Sequence, residues 1–189
     1  MIIGLVGTIA CGKGVVADYL IKKYGYTSFS LSSIVHDEVK RRGITNFTRT
    51  TLQDIGDELR RGEGDGVLAK RAIDQLNRSS LLNQLNRQKI IIEGIRNPGE
   101  VEYLRSIPGF FLIAVDADQK IRYQRVLKRG KQWDPKYWES FLKIDERDSS
   151  DGENTNGQQV RKCMEMAEVK IENNDGIEEL IKKLEPALQ

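Results

Sequence analysis

Ile2-Ile3-Gly4-Leu5-Val6-Gly7-Thr8-Ile9-Ala10-Cys11-Gly12-Lys13 opens with an apolar, β-prone run and passes directly into a glycine loop. Ile2–Val6 reads as a buried strand, and Lys13 to Tyr24, stopped by Gly25, as the helix that follows. Gly7 to Lys13 satisfies G-x-x-x-x-G-K in that strand-to-helix setting, the context that gives the pattern meaning. With 17 Gly and 15 Lys in 189 residues, chance alone would produce roughly 0.1 such matches anywhere in the chain. The chemistry explains the composition. Successive amides must curl around phosphate oxygens, which glycine permits; the helix then aims its positive end at the same anion. On this reading Gly7, Thr8, Ile9, Ala10, Cys11, Gly12, Lys13, Gly14 and Val15 line a phosphate site, with the Lys13 ammonium reaching the outer phosphates.

Working outward, short β-rich runs alternate with segments of helical period, the pattern of a parallel sheet covered by helices. Five strands are expected: Ile2–Val6, Thr27–Leu31, Ile90–Glu93, Phe110–Val115 and Glu168–Ile171. Helices are expected over Gly99–Ser106, with Pro98 at the entry, and over Ile177–Leu184, with Pro186 beyond its end. About sixty residues separate the second and third strands, far more than a simple crossover needs. A helical insert is therefore expected at about 32–86. A polar stretch from about 129 to 157, with Gly130, Asp151-Gly152 and Asn156-Gly157, reads as a mobile, partly helical flap.

Composition bounds the rest. A length of 189 residues argues for one domain, and 39% hydrophobic with 31% charged residues describes a foldable chain. The net charge of +2 is too small to argue for nucleic acid. No apolar run approaches the roughly 18 residues of a membrane span, and Met1 leads straight into a strand, so neither a span nor a secretory leader is expected. Cys11 and Cys163 lack metal-ligand spacing, and a reducing, cytoplasmic setting is the default.

Ligands of open α/β sheets bind at the carboxyl ends of the strands. Ile90-Ile91-Ile92-Glu93-Gly94-Ile95-Arg96 puts Glu93 there and Arg96 three residues on, and Asp116 closes the fourth strand. Arg96 is expected to grip an acceptor phosphate bidentately. Arg122, Arg125 and Arg129 share a helix face at spacings of three and four. Arg125 and Arg129 are expected to stabilise a transferring phosphoryl group as the flap closes. Arg41, Arg42, Arg49, Arg60 and Arg61 crowd the insert; some, with Arg41 and Arg49 as the candidates, are expected to serve the acceptor nucleotide, and others to keep an amphipathic helix soluble. Gly14 stands where the pattern normally has a Ser or Thr hydroxyl for Mg2+; Glu93 or Asp116 acting through water, or Thr8, are the alternatives. His36 has no nucleophile beside it, and Tyr103, Tyr123, Tyr137, Trp133 and Trp138 read as packing residues.

Loop, long insert, Glu-Gly-x-Arg strand end and arginine-bearing flap together resemble the P-loop nucleoside monophosphate kinases over most of the chain. Gly12-Lys13-Gly14, Gly64-Asp65-Gly66-Val67, Glu93-Gly94-Ile95-Arg96, Lys120-Ile121-Arg122-Tyr123 and Ile171-Glu172-Asn173 are similar to an archaeal adenylate-kinase-related group. The resemblance implies a three-layer P-loop NTPase fold, ATP and Mg2+, a small-molecule nucleotide acceptor, and neither nucleic acid nor membrane as partner. Arg49 with Leu52-Gln53 and Gly56 resembles a segment of bacteriophage deoxynucleoside monophosphate kinase, implying acceptor binding by Arg49. Asn173 and Asn174 are implied near the adenine. Dephospho-coenzyme A kinases share the plan, their Asp-to-Arg segment corresponding to Asp116, Arg125 and Arg129. However, Ser30-Leu31-Ser32-Ser33 stands where they carry a carboxylate. Gly157 to Cys163 is similar to kinase-like domains fused to deoxycytidylate deaminases, but the deaminase pairing of H-x-E with P-C-x-x-C is missing, since the chain has no P-C-x-x-C. A nucleoside or deoxynucleoside monophosphate kinase is thus the leading expectation. A dephospho-coenzyme A kinase and a non-catalytic ATP-binding regulatory module are the alternatives.

Overall fold

Strand β1 (Ile2–Gly7) is buried at every residue, and its place at the centre of the sheet explains why. The computed structural model describes residues 1–78, 89–130, 134–149 and 156–188. Its other strands are β2 (Thr27–Ser30), β3 (Ile90–Glu93), β4 (Phe110–Asp116) and β5 (Val169–Glu172), in the order β2-β3-β1-β4-β5. Every pairing is parallel, with Ile2 opposite both Ile90 and Phe110. Parallel strands need crossovers, and these supply the helices of both outer layers.

Side-chain alternation divides the core into two faces. Ile3, Leu5, Ile91, Ile113, Val115 and Ile171 meet Val16, Ala17 and Leu20 of α1 (Lys13–Tyr24) and Leu180 and Leu184 of α9 (Ile177–Leu184). Ile90, Ile92, Leu112 and Ala114 instead pack toward α2 (Leu31–Arg41), α3 (Arg49–Glu63), α4 (Val67–Arg78), α5 (Pro98–Arg105) and α8 (Val160–Glu165). Truncating a fully buried Leu5 or Ile91 to Ala would remove about 2–5 kcal/mol.

The insert is a helical subassembly of α2, α3 and α4, as its period indicates; its expected last residues, 79–86, lie outside the described residues. Helix α3 starts at a capping box between Thr48 and Thr51. Helix α6 (Gln119–Arg129) ends at Gly130, whose φ of 56° makes the left-handed stop that glycine favours. Within the flap runs α7 (Trp138–Ser149), a helix of 12 residues; Trp133 and Asp151-Gly152 lie outside the described residues. A short 3-10 turn (Glu185–Leu188) follows α9.

Several boundaries differ from expectation by one residue: β1 and β4 each run one residue further, and α5 starts and ends one residue earlier. β2 ends at Ser30, because the Ser30 hydroxyl accepts from the Ser32 amide at 3.3 Å and starts α2 at Leu31. β5 runs one residue later than its composition suggests, in register with β4 from Ile113↔Val169. Tyr123, Trp138 and Phe141 pack ring against ring at 5.1–5.6 Å, as expected of packing residues. Tyr137 differs, being 70% exposed. No helix among the described residues is long and apolar enough to cross a membrane.

Candidate active site

The loop between β1 and α1 is held open by backbone shape. A Cβ at Gly7 would sit 2.0 Å from the Val115 carbonyl oxygen, and one at Gly12 (φ 115°) 2.3 Å from Asn173 Nδ2. Ala10 adopts φ 58°, the one positive φ at a non-glycine among the described residues, a conformation that costs energy and recurs at ligand sites. The first bonds of α1 run from the Val15 and Val16 amides to Gly12 O, so the Lys13 and Gly14 amides have no partner within the helix. Lys13 Nζ lies across the loop, donating to Gly7 O at 2.6 Å and Thr8 O at 2.8 Å, with Cys11 Sγ at 3.4 Å.

Other expected residues brace the loop. Thr8, 1% exposed, donates its hydroxyl to Asp116 Oδ1 at 2.6 Å, which ties the loop to the end of β4. Arg125 does not face the cavity described below; its guanidinium donates to Cys11 O (3.3 Å) and Asn173 O (2.8 Å). Buried Asn173 donates Nδ2 to Cys11 O at 2.8 Å, while its Oδ1 has no hydrogen-bond partner among the described residues. Arg122, 2% exposed, grips Asp145 of α7 at 2.5 and 2.8 Å and reaches Ile9 O at 3.4 Å. Burial alone would push the Asp145 carboxyl up, but hydrogen bonds from Arg122 and Gln119 outweigh it and hold it below its ordinary value.

At the loop's mouth a cavity of about 180 Å³ is lined by Gly7, Ile9, Ala10 and Lys13 together with Arg49, Arg96, Arg129 and Asp148. Residues from the first loop, the insert, the β3 end and the flap therefore converge there. Arg129 is clasped by Asp134 through two bonds of 2.6 Å. Arg49 donates NH2 to Asp148 Oδ2, Gln53 Nε2 donates to Asp148 Oδ1 at 2.7 Å, and Arg96 NH1 lies 3.7 Å from the same carboxylate. Arg96 NH1 also donates to Gln158 Oε1 at 3.2 Å. A second, narrower cavity of about 60 Å³ shares Arg49 and Arg96 with the first and continues between Leu31, Val35, Leu52 and Arg60.

Two expected site residues stand elsewhere. Arg41 turns away to Glu38, with Nε and NH2 at 2.7 and 2.6 Å, on a separate groove between α2 and α4. Its spacing along an amphipathic helix could not say which face looks inward. Glu93 accepts the Ser28 hydroxyl from β2 and does not line either cavity. Asp116 stays partly exposed at 37% and also accepts from the Ala117 amide at 2.9 Å. Among the described residues no three His, Cys, Asp or Glu gather as a metal cluster. Of the two expected metal carboxylates, Asp116 thus fits Mg2+ better, beside the loop rather than within a dedicated cage.

The sequence reading missed Glu100, Asp148 and Gln158; it named Arg60 only among the insert's arginines and Gln53 only within the segment that carries Arg49. Arg60 and Glu100 are fully buried partners; Glu100 also accepts the Arg96 and Asn97 amides at 2.7 and 3.2 Å, fixing the loop that carries Arg96. Asn97-Pro98-Gly99-Glu100 does read as a capping box, a signal that could have found Glu100. Asp148 has no such signature, because its partners lie 95 and 99 residues away.

Comparison with known proteins bears on the family and the fold. A family model described as an AAA domain matches residues 3–141. A UPF0200 protein of Pyrococcus abyssi is 31% identical over 189 residues, covering 98% of this chain and 94% of the relative. One from Methanothrix thermoacetophila is 32% identical over 149 residues, covering 78% and 76%. Among solved structures, TT1252 from Thermus thermophilus superposes with a TM-score of 0.54 at 20% identity, covering 100% of this chain and 96% of its own. Shikimate kinase from Aquifex aeolicus gives 0.52 at 16% identity with the same coverage. At such identities these two speak for the fold alone, a P-loop kinase-like α/β architecture. The family match and the full-length archaeal relative together establish that the chain belongs to the UPF0200 family and contains an AAA domain.

Proposed function

We propose that the chain, acting as a single domain, is an ATP-dependent phosphotransferase whose acceptor is a nucleoside or deoxynucleoside 5′-monophosphate. One observation carries this reading: Lys13 and the glycine loop line one cavity together with Arg49, Arg96 and Arg129. The loop amides and Lys13 would hold the donor phosphates, with Lys13 leaving its two carbonyl partners to do so. Arg49 and Arg96 would hold the acceptor phosphate. Arg129 would neutralise charge on the transferring group, and Arg125 would fix the loop from behind. Asn173 lies against Gly12 and would edge the donor's base. Catalysis then rests on positioning and charge stabilisation, since an anionic acceptor needs no base. Mg2+, when bound beside Asp116, would neutralise phosphate charge; Glu93, engaged by Ser28, would act on it only at a distance.

A second reading, phosphorylation of a hydroxyl such as that of dephospho-coenzyme A, is favoured by one feature, the Asp148 carboxylate in the cavity wall. A third, ATP binding without turnover, draws on Gly14. The test is a coupled assay with ATP, Mg2+ and a panel of monophosphates beside dephospho-coenzyme A. Turnover of a monophosphate, lost in Lys13→Ala, is the expected result; turnover of dephospho-coenzyme A alone selects the second reading, and ATP binding with no turnover selects the third. The absence of ATP binding sinks all three.

A further inference from the structure

We propose that Asp148 is a built-in counter-anion that holds α7 on the Arg49–Arg96 pair and is displaced by the acceptor's phosphate, making it a determinant of acceptor specificity. The proposal rests on the kinase reading above for the identity of the incoming anion. Asp148 is 3% exposed; both its oxygens accept from α3 of the insert, and one of them also faces the strand-end loop. Oδ2 accepts from Arg49 NH2 and faces Arg96 NH1 at 3.7 Å, while Oδ1 accepts from Gln53 Nε2 at 2.7 Å. One carboxylate thus stands beside two guanidinium groups in the cavity that Lys13 also lines.

The fit is incomplete, and that points to the ligand. Arg49 Nε is buried with no hydrogen-bond partner among the described residues, so Asp148 engages this guanidinium at one nitrogen only. A guanidinium satisfies an oxyanion best through two parallel N–H bonds. At 3.7 Å, Arg96 is close enough for attraction but too far for a hydrogen bond to that oxygen. A tetrahedral phosphate dianion has the oxygens to take Nε and NH2 of Arg49 together and to reach Arg96, and it brings twice the charge. It would therefore win this place from Asp148. Two buried carboxylate oxygens and a phosphate dianion cannot share it, because like charges at such range repel strongly. Displacement would free α7 from Arg49 and Gln53, coupling acceptor binding to the flap. A neutral hydroxyl acceptor could not evict the carboxylate, so the latch selects for an anionic group.

The experiment measures binding of inorganic phosphate and of nucleoside 5′-monophosphates by titration calorimetry to the wild type, Asp148→Asn and Gln53→Ala, alongside turnover. Asp148→Asn keeps the shape and removes the competing charge; both anions should bind about tenfold tighter, with the acceptor KM lowered in proportion. Gln53→Ala keeps the charge but loosens its anchor and should give a smaller gain in the same direction. On the wild type itself, monophosphate should speed amide exchange across 138–149. Unchanged or weaker anion binding in both variants, with no change in exchange, would overturn the proposal. So would loss of kcat at constant KM for a hydroxyl acceptor in Asp148→Asn, which would make Asp148 an acceptor-orienting catalytic residue. Tighter anion binding without any turnover would overturn the kinase reading and keep the latch; turnover without the affinity gain would do the reverse.

Discussion

Arg60 and Glu100 meet with no solvent between them: Arg60 Nε and NH2 both donate to Glu100 Oε1, at 3.0 and 2.8 Å, and neither side chain is more than 1% exposed. Glu100 Oε2 accepts the Arg96 and Asn97 amides. A cation of the insert thereby fixes the backbone from which Arg96 enters the cavity. Removing one partner strands the other's charge in the core, so Arg60→Ala should lose about 3–5 kcal/mol of stability. Urea unfolding of the wild type and variant checks this. A loss under about 1 kcal/mol would mean that water reaches Glu100 and that the link to Arg96 is loose.

Lys13 donates to Gly7 O and Thr8 O, contacts within a loop that Thr8 and Arg125 already brace. Lys13→Ala should leave the melting temperature nearly unchanged while lowering kcat/KM by at least about a hundredfold, as expected on removing a positioned cation from a developing phosphoryl charge. Retention of full turnover would remove Lys13 from the mechanism.

The strand framework and the loop were legible because both depend on local patterns: apolar runs bounded by turns, and glycines where a Cβ has no room. Ile90–Glu93 and Ile177–Leu184 match their expected bounds for that reason. Arg49 and Arg96 were expected near one another at the sheet's ligand edge, one by resemblance and one by its place after a strand end, and both line the same cavity. Arg41 and Asp148 mark the limit. Helical spacing groups residues on a face but does not say whether that face looks at the cavity or at a neighbouring Glu38. A buried carboxylate reaching across 95 residues leaves no periodic trace.

Gly14 is exposed, and a Cβ there would meet nothing within 4 Å. The missing hydroxyl can therefore be restored without steric cost. Gly14→Ser should tighten Mg2+ in the nucleotide complex by about tenfold, the size of one charge-assisted contact of about 1.5 kcal/mol. It should also gain slightly in stability, because glycine is a poor helix former. The Mg2+ dependence of ATP affinity reads the first effect; an unchanged dependence would show that Asp116 and the phosphates already complete the metal's surroundings.

Glu38 accepts from Arg41 at 2.7 and 2.6 Å and from Arg42 at 2.6 Å, and these bonds hold its carboxyl at about 2, against an ordinary 4.5. A depressed carboxyl contributes stability that is full above its unfolded value and is lost on acidification. The contribution should persist down to about pH 4.5 and disappear between there and about pH 2. Glu38→Gln should flatten the stability profile in that window and nowhere above it. An identical profile in wild type and variant would mean that the exposed arginines do not hold their places in solution.

Asp145 of α7 is the ionic partner of Arg122, which also donates to Ala117 O at 2.8 Å and reaches Ile9 of the glycine loop. Phe141 lies 5.6 Å from the same guanidinium. The flap helix and the phosphate loop are thus referenced to one buried cation, so damage to the pair should register in both stability and nucleotide affinity. Asp145→Ala leaves Arg122 charged and without its carboxylate, at a cost of about 3–5 kcal/mol. The double substitution Arg122→Met with Asp145→Leu removes both charges and should regain most of that stability, yet not the ATP affinity, because the donor to Ile9 O is gone. The depressed Asp145 carboxyl sets the sign of the pH effect: wild-type stability from this pair is present above the ordinary carboxylate range and is lost as pH falls below it. Denaturant unfolding and ATP titration of the wild type and both variants separate the two roles. If the double variant bound ATP as the wild type does, Arg122 would serve the flap's packing alone and have no part in shaping the loop.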